Sequence, residues 1–448
     1  MNRHTRLLAT FCALTGTTGP VVRRAGARAI LPEVFVPRWA RLAAVPPEHL
    51  AAQLDGVRSF ADREWCGYWT GIAEHHVAQA HMLLGELATA SGVPPVAVTA
   101  MSRSGDRSGS AVLAGLLAPA AEFLADRELP PTTTEIERFV RTRTPGGALD
   151  ERLLWAVRAV AALRSAVGYH LIAAWPGRSP ARLQAYVRAQ NLFRALAEAL
   201  ATPLGVDMGV TDLVADGERT RLWTMFPAGS DCRATVLVTN GLDGSALELV
   251  LPLLRHRNSG LGFVVMDLPG THAARRPMSI ESERVFAAVL DHLATHSRVD
   301  ADRIAMLGTS FGGYWAARTA AVDPRLRCAV ACGAPTHRGF GPAAAIGAPA
   351  IMVRTLCDIV GAREPLGTGR ALSALSLRKL YRHIAIPLLV VDGDADGIVD
   401  VRDSRELAAA ARFGELRLYA GDDHCAMGHF EQWLAMAVAW MREELGER

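Results

Sequence analysis

Along the first half of the chain, apolar side chains recur every three or four positions. The pattern runs through 72–90, 110–126, 150–170 and 180–201 and predicts four helices, each with one buried stripe. Pro94-Pro95, Pro130-Pro131, Pro145-Gly146-Gly147 and Pro176-Gly177 punctuate them as turns. No stretch of this half alternates like a strand, and the first 45 residues show no sustained period. Past Leu204-Gly205 the texture changes. Short apolar runs at 235–239, 263–266, 303–307, 328–332, 387–391 and 415–419 now alternate with helical stretches such as 282–296 and 313–321. Buried strands alternating with helices predict a mostly parallel sheet with helices on both faces. Ahead of them, 209–215 and 221–226 read as an antiparallel hairpin at the sheet edge.

At 448 residues the chain exceeds one ordinary core, so the pattern divides it into parts. Residues 1–45 are a poorly defined leader, 46–205 an all-helical, cap-like domain, and 206–448 an α/β domain of the α/β-hydrolase type.

That fold class rests on one pentapeptide and its context. Gly308-Thr309-Ser310-Phe311-Gly312 directly follows the apolar run Ile304-Ala305-Met306-Leu307 and precedes a helical stretch. A serine between two glycines at a strand-to-helix junction reads as a nucleophile elbow, in which the tight turn exposes the hydroxyl. Serine is a weak nucleophile at neutral pH, so it needs a base and a group that orients the base. His424 follows the run 416–419 and Asp396 follows 387–391, which gives the chain order Ser, Asp, His at strand ends. His429 competes for the base, but it falls where a final helix over 427–445 has begun; Asp392, Asp394 and Asp400 compete for the acid. An oxyanion hole needs two backbone N–H donors. Phe311 supplies one, and the loop Asn240-Gly241-Leu242-Asp243-Gly244-Ser245 the other, from Leu242 or else Gly241. Trp65, Tyr68, Trp69 and Trp175 are candidates for an apolar substrate wall, and His337, just past the run 328–332, for a pocket residue.

Composition narrows the chemistry further. Lys379 is the single lysine and no Gly-rich loop precedes it, which removes Schiff-base, pyridoxal-phosphate and P-loop reactions. Asp267-Leu268-Pro269-Gly270 therefore reads as a turn rather than part of a nucleotide site. Glu74-His75-His76 with His81 lacks metalloprotease spacing, so neither metal nor cofactor is expected. A net charge of +3 gives no reason to expect nucleic acid or a membrane surface as partner. The partner expected is a small acyl or keto substrate, with a homodimer compatible. Seven scattered cysteines without a C-x-x-C pair read as reduced thiols of a cytoplasmic enzyme. The basic, apolar start around Arg3, Arg6 and Leu7-Leu8 is too short and threonine-broken for a signal peptide.

Taken together, Asn240-Gly241-Leu242-Asp243, Asp267-Leu268-Pro269-Gly270, Gly308-Thr309-Ser310-Phe311-Gly312-Gly313 and Gly333-Ala334-Pro335-Thr336-His337 resemble the FrsA-like esterase family. The likeness covers 165–445, where Tyr169-His170 to Trp175-Pro176 is similar to the end of that family's helical domain. The resemblance implies an α/β-hydrolase core under a helical domain that closes over the active site. It also implies cofactor-free hydrolysis of an ester or, in some members, of a carbon–carbon bond beside a ketone. Carried over, the triad falls on Ser310, Asp396 and His424. The family's usual Gly-Gly-Leu-Asp has Asn240 in its first place here. On the same scaffold, acyl transfer or elimination are the alternative reactions, and a non-catalytic interaction protein is the alternative of another class.

Overall fold

The computed structural model describes residues 3–93, 107–125, 132–229, 233–341 and 347–446. Eight strands form one sheet: β1 (Val206–Ala215), β2 (Glu218–Pro227), β3 (Arg233–Thr239), β4 (Gly262–Met266), β5 (Val299–Thr309), β6 (Leu326–Cys332), β7 (Pro387–Gly393) and β8 (Phe413–Tyr419). Their order is β1-β2-β4-β3-β5-β6-β7-β8. The β1–β2 hairpin is antiparallel and joins β4 antiparallel; every other pairing is parallel. This is the α/β-hydrolase architecture that the alternation of runs predicts.

The central strands read as unbroken apolar runs because both faces are covered. Successive side chains point to opposite faces, so Val236 and Val238 join one apolar layer while Leu237 joins the other. The first layer continues without a break into Phe35, Trp39, Trp65 and Trp175 of the helical half. The change of period near residue 205 is thus a change of secondary structure, not a gap in packing.

Three departures from the sequence reading have physical causes. The leader is ordered into helices Arg3–Thr15, Thr18–Ala25 and Phe35–Ala43, the last burying Phe35 and Trp39. The helix expected over 72–90 begins at Asp62, since burial of Trp65 and Trp69 overrides the poor propensity of Gly67 and Gly71. The helix expected over 110–126 is broken: Arg107–Leu117 gives way to a 3-10 turn at Pro119 and restarts as Ala121–Ala125. The turns at Pro94-Pro95 and Pro130-Pro131, with Cys232, lie outside the described residues. The described cysteines are free thiols, and no helix among the described residues is long and apolar enough to cross a membrane.

Candidate active site

The elbow after β5 is a close-packed turn. Ser310 sits at φ 55°, ψ −122°, a region that L-residues occupy only under strain. The strain persists because strand and helix press together on either side. A Cβ on Gly308 would lie 2.0 Å from the Gly312 carbonyl oxygen, and one on Gly312 would lie 2.3 Å from that of Thr239. The Ser310 N–H donates to the Cys332 carbonyl at the end of β6 (2.7 Å), fixing the turn from the neighbouring strand.

Loops from β7 and β8 meet this turn. His424 Nε2 lies 2.9 Å from Ser310 Oγ, and its Nδ1 lies 2.7 Å from Asp396 Oδ2. A carboxylate only accepts, so Nδ1 carries the proton and Nε2 is left to accept from the serine hydroxyl. The other Asp396 oxygen accepts from the Ile398 and Val399 N–H groups (2.7 and 2.9 Å), which locks the carboxylate in place. Asp423 ties the two loops, accepting from Gly397 N–H at 2.6 Å and His424 N–H at 2.8 Å. Burial alone would hold the His424 imidazole down, but the adjacent Asp396 charge outweighs it and the net shift is well upward.

The rival residues are engaged elsewhere. His429 pairs with Asp422 (2.7 Å), Asp394 accepts from Gly421 N–H, and Asp400 pairs with Arg402. Asp392 is fully buried beneath the site, accepting from Ser404 Oγ at 2.7 Å. Asp392, Asp396 and His424 each bring one ligand-type atom within 4.8 Å of the others. Burial and the Asp396 charge push the Asp392 carboxyl well up, towards its neutral form.

The loop after β3 lies over the nucleophile. A Cβ on Gly241 would come 2.9 Å from Ser310 Cβ. Asn240 organises this loop: its Oδ1 accepts from Gly241 N–H and from Thr309 Oγ (both 2.8 Å), and its Nδ2 donates to the Ser245 carbonyl (3.1 Å). Phe311 heads the helix Phe311–Val322, so its N–H is among those a helix leaves without an internal partner. Farther along the loop, Asp243 is clamped from the helical half. Trp175 Nε1 donates to one oxygen (2.6 Å) and Arg38 to the other (3.1 Å), while Arg38 also pairs with Glu248 (3.0 Å). Burial would raise the Asp243 carboxyl, yet Arg38 and Trp175 hold it below its usual range. Neither Asn240 nor Arg38 is read from the sequence as functional. Asn240 shows only as a departure from the Gly-Gly-Leu-Asp pattern, and Arg38 sits in the leader with no local signal.

The aromatic wall is a correction. Trp65 and Trp69 are fully buried, Trp65 bonding the Ile172 carbonyl (2.9 Å) and stacking edgewise on Trp39 and Trp69. Trp175 packs in the same cluster and serves the back of the Asp243 loop. Tyr68 is partly exposed and donates to the Gln53 carbonyl (3.2 Å). The three tryptophans are core, and Phe35 and Trp39 of the leader pack against Trp65 and Trp175. His337 bonds Ser376 Oγ through Nδ1 (2.9 Å), and its N–H donates to Asp403 (3.2 Å), so it pins the loop after β6.

Comparison with known proteins places the fold and the family. The family model described as Esterase FrsA-like matches residues 156–446. An Esterase FrsA of Vibrio parahaemolyticus serotype O3:K6 is 23% identical over 220 residues, covering 47% of this chain and 52% of the relative. The chain thus spans about half the length of the curated relatives it first matches. Among solved structures, 2,6-dihydroxy-pseudo-oxynicotine hydrolase superposes with a TM-score of 0.62 at 17% identity, covering 91% of this chain and 95% of that one. A protein named AbyA5 does so with a TM-score of 0.55 at 25% identity, covering 63% and 84%.

Proposed function

As a member of the FrsA-like esterase family, the chain is, we propose, a serine hydrolase that cleaves an ester, or a carbon–carbon bond beside a ketone, in a small or polyketide-like molecule. One observation carries the reading: Ser310, His424 and Asp396 are linked by contacts of 2.9 and 2.7 Å at a strained elbow.

Ser310 Oγ attacks the carbonyl as His424 Nε2 takes its proton, and Asp396 stabilises the resulting imidazolium. The negative oxygen is held by the N–H of Phe311 and that of Leu242, because the Gly241 N–H is spent on Asn240. His424 then returns the proton to the leaving alkoxide or enolate, and the departing group separates. Water, activated by the same imidazole, attacks the acyl-enzyme and frees the acid and Ser310. Every step draws on this chain's own side chains and backbone, and the substrate is a small acyl or keto compound.

Ser310→Ala tests the reading. With an aryl ester, turnover is expected to fall by about four orders of magnitude or more, and fluorophosphonate labelling is expected to vanish. Wild-type turnover in Ser310→Ala would overturn it. Product analysis separates hydrolysis from acyl transfer or elimination on the same scaffold.

A further inference from the structure

A cavity of about 580 Å³ lies over the outer edge of the sheet, away from the triad. Its walls are the helix Pro180–Leu200, the β1–β2 turn and the loop that follows β4. Leu183, Val187, Leu268 and Pro277 make it apolar, and Arg221 and Arg276 stand among its polar groups. A second, far smaller cavity of about 10 Å³ adjoins the oxyanion loop, touching Leu242, Thr271 and His272. Thr271 lines both.

What separates them is a pair of rings. Tyr186 and His272 stack with centroids 4.2 Å apart. His272 Nε2 sits 3.0 Å from the Gly244 carbonyl, and Tyr186 bonds Asp267, whose other oxygen accepts from Ala246 N–H (2.7 Å). Both partition residues are therefore fastened to the loop that covers Ser310. His272 holds φ at 44°, a conformation costly for a non-glycine residue and usually retained where it serves a site.

Sheet geometry sets the distance. Met266 ends β4 opposite Leu222 of β2, and Thr309 ends β5 at the same edge of the sheet, beyond β3. With strands about 4.8 Å apart, the groove, which begins at Asp267 just past β4 and runs out to β2 and β1, starts roughly 10–15 Å from the nucleophile. At ~30 Å³ per water-sized group, its volume takes roughly 20 such groups.

From this we infer that the groove seats the remote arm of the substrate, and that the substrate is elongated. Its reactive carbonyl lies at Ser310 and a largely apolar arm, polar at its far end, crosses the Tyr186–His272 partition to the β1–β2 edge. A short acyl compound would leave the groove empty. The inference rests on the serine-hydrolase reading, and the experiment separates the two.

A series of p-nitrophenyl esters from acetate to hexadecanoate is assayed with the full chain and with Val187→Trp, which fills the groove from its half-exposed wall. In the wild type, kcat/KM rises with acyl length. In Val187→Trp the hexadecanoate-to-acetate ratio of kcat/KM falls by about tenfold or more. Fluorophosphonate labelling of Ser310 reports whether the triad is intact in each protein. Labelling with an unchanged ratio overturns the groove and leaves the hydrolase. Loss of labelling in the wild type overturns the hydrolase, and equilibrium binding of hexadecanoate then reads the groove directly. Binding weakened about tenfold by Val187→Trp supports it, and equal binding overturns it.

Discussion

Replacing Asn240 with alanine removes three hydrogen bonds from a residue that is 9% exposed. The Gly241 N–H and the Thr309 hydroxyl lose their shared acceptor, and the Ser245 carbonyl loses its donor. Each buried polar group left unpaired costs about 1–3 kcal/mol, though the space vacated by the carboxamide admits one water that recovers part of it. A net loss of about 2–4 kcal/mol of stability is therefore expected. The kinetic effect is separate. On the proposed mechanism a loosened loop displaces the Leu242 N–H from the developing oxyanion, since Gly241 approaches Ser310 closely. One misplaced donor of this kind is worth roughly 10²–10³ in kcat, and partial displacement predicts a fall of about 10–100-fold with KM little changed. The assay is aryl-ester hydrolysis well below the variant's melting temperature, paired with inhibition by a trifluoromethyl ketone, which mimics the tetrahedral intermediate. Affinity for the ketone should fall in step with kcat. If Asn240→Ala melts earlier but keeps kcat and ketone affinity within twofold, Asn240 only supports the fold and the reasoning fails.

Because Asp396 holds the His424 pKa well above its ordinary value, and only neutral imidazole can act as base, kcat/KM should fall with an acid limb lying above about pH 6.5. Asp396→Asn should move that limb down and cut kcat by about 10³–10⁴, read from the pH–rate profile. The same raised pKa contributes stability that is complete below the unfolded value near 6.5 and lost as pH rises through the folded value. The melting-temperature gap between wild type and Asp396→Asn should therefore narrow at high pH. Arg38→Leu should cost roughly 2–4 kcal/mol, because Asp243 and Glu248 stay behind at only 19% and 12% side-chain exposure; denaturant unfolding measures it. Gly312→Ala should abolish folded, labelled enzyme, since its Cβ would meet the rigid Thr239 carbonyl at 2.3 Å.

The sequence makes some of this legible and hides the rest for a physical reason. Ser310, Asp396 and His424 can be read because each sits at the end of an apolar run, and a parallel sheet brings such ends to one edge. The triad's geometry follows from chain order and strand period, both local properties. The aromatic residues could not be read that way. Trp65 and Trp69 have the same spacing whether they face a cavity or a neighbouring helix. The deciding element is the nine-residue helix Phe35–Ala43, too short for its period to stand out and carrying Pro37. Asn240 looks like a weakened oxyanion hole only if glycine's small size is what that position requires. In the folded chain its side chain does by hydrogen bonding what a bare backbone cannot, joining the oxyanion loop to the residue before the nucleophile. Arg38 and Asp243 are separated by 205 residues, and no spacing rule links them. Arg38 also lies before the span matched by the family model, 156–446. The clamp on this loop is therefore shared: Arg38 comes from the part of the chain before the matched span, and Trp175 lies within it. On the proposed mechanism, changes at Arg38 alter the reaction without touching a residue of the triad.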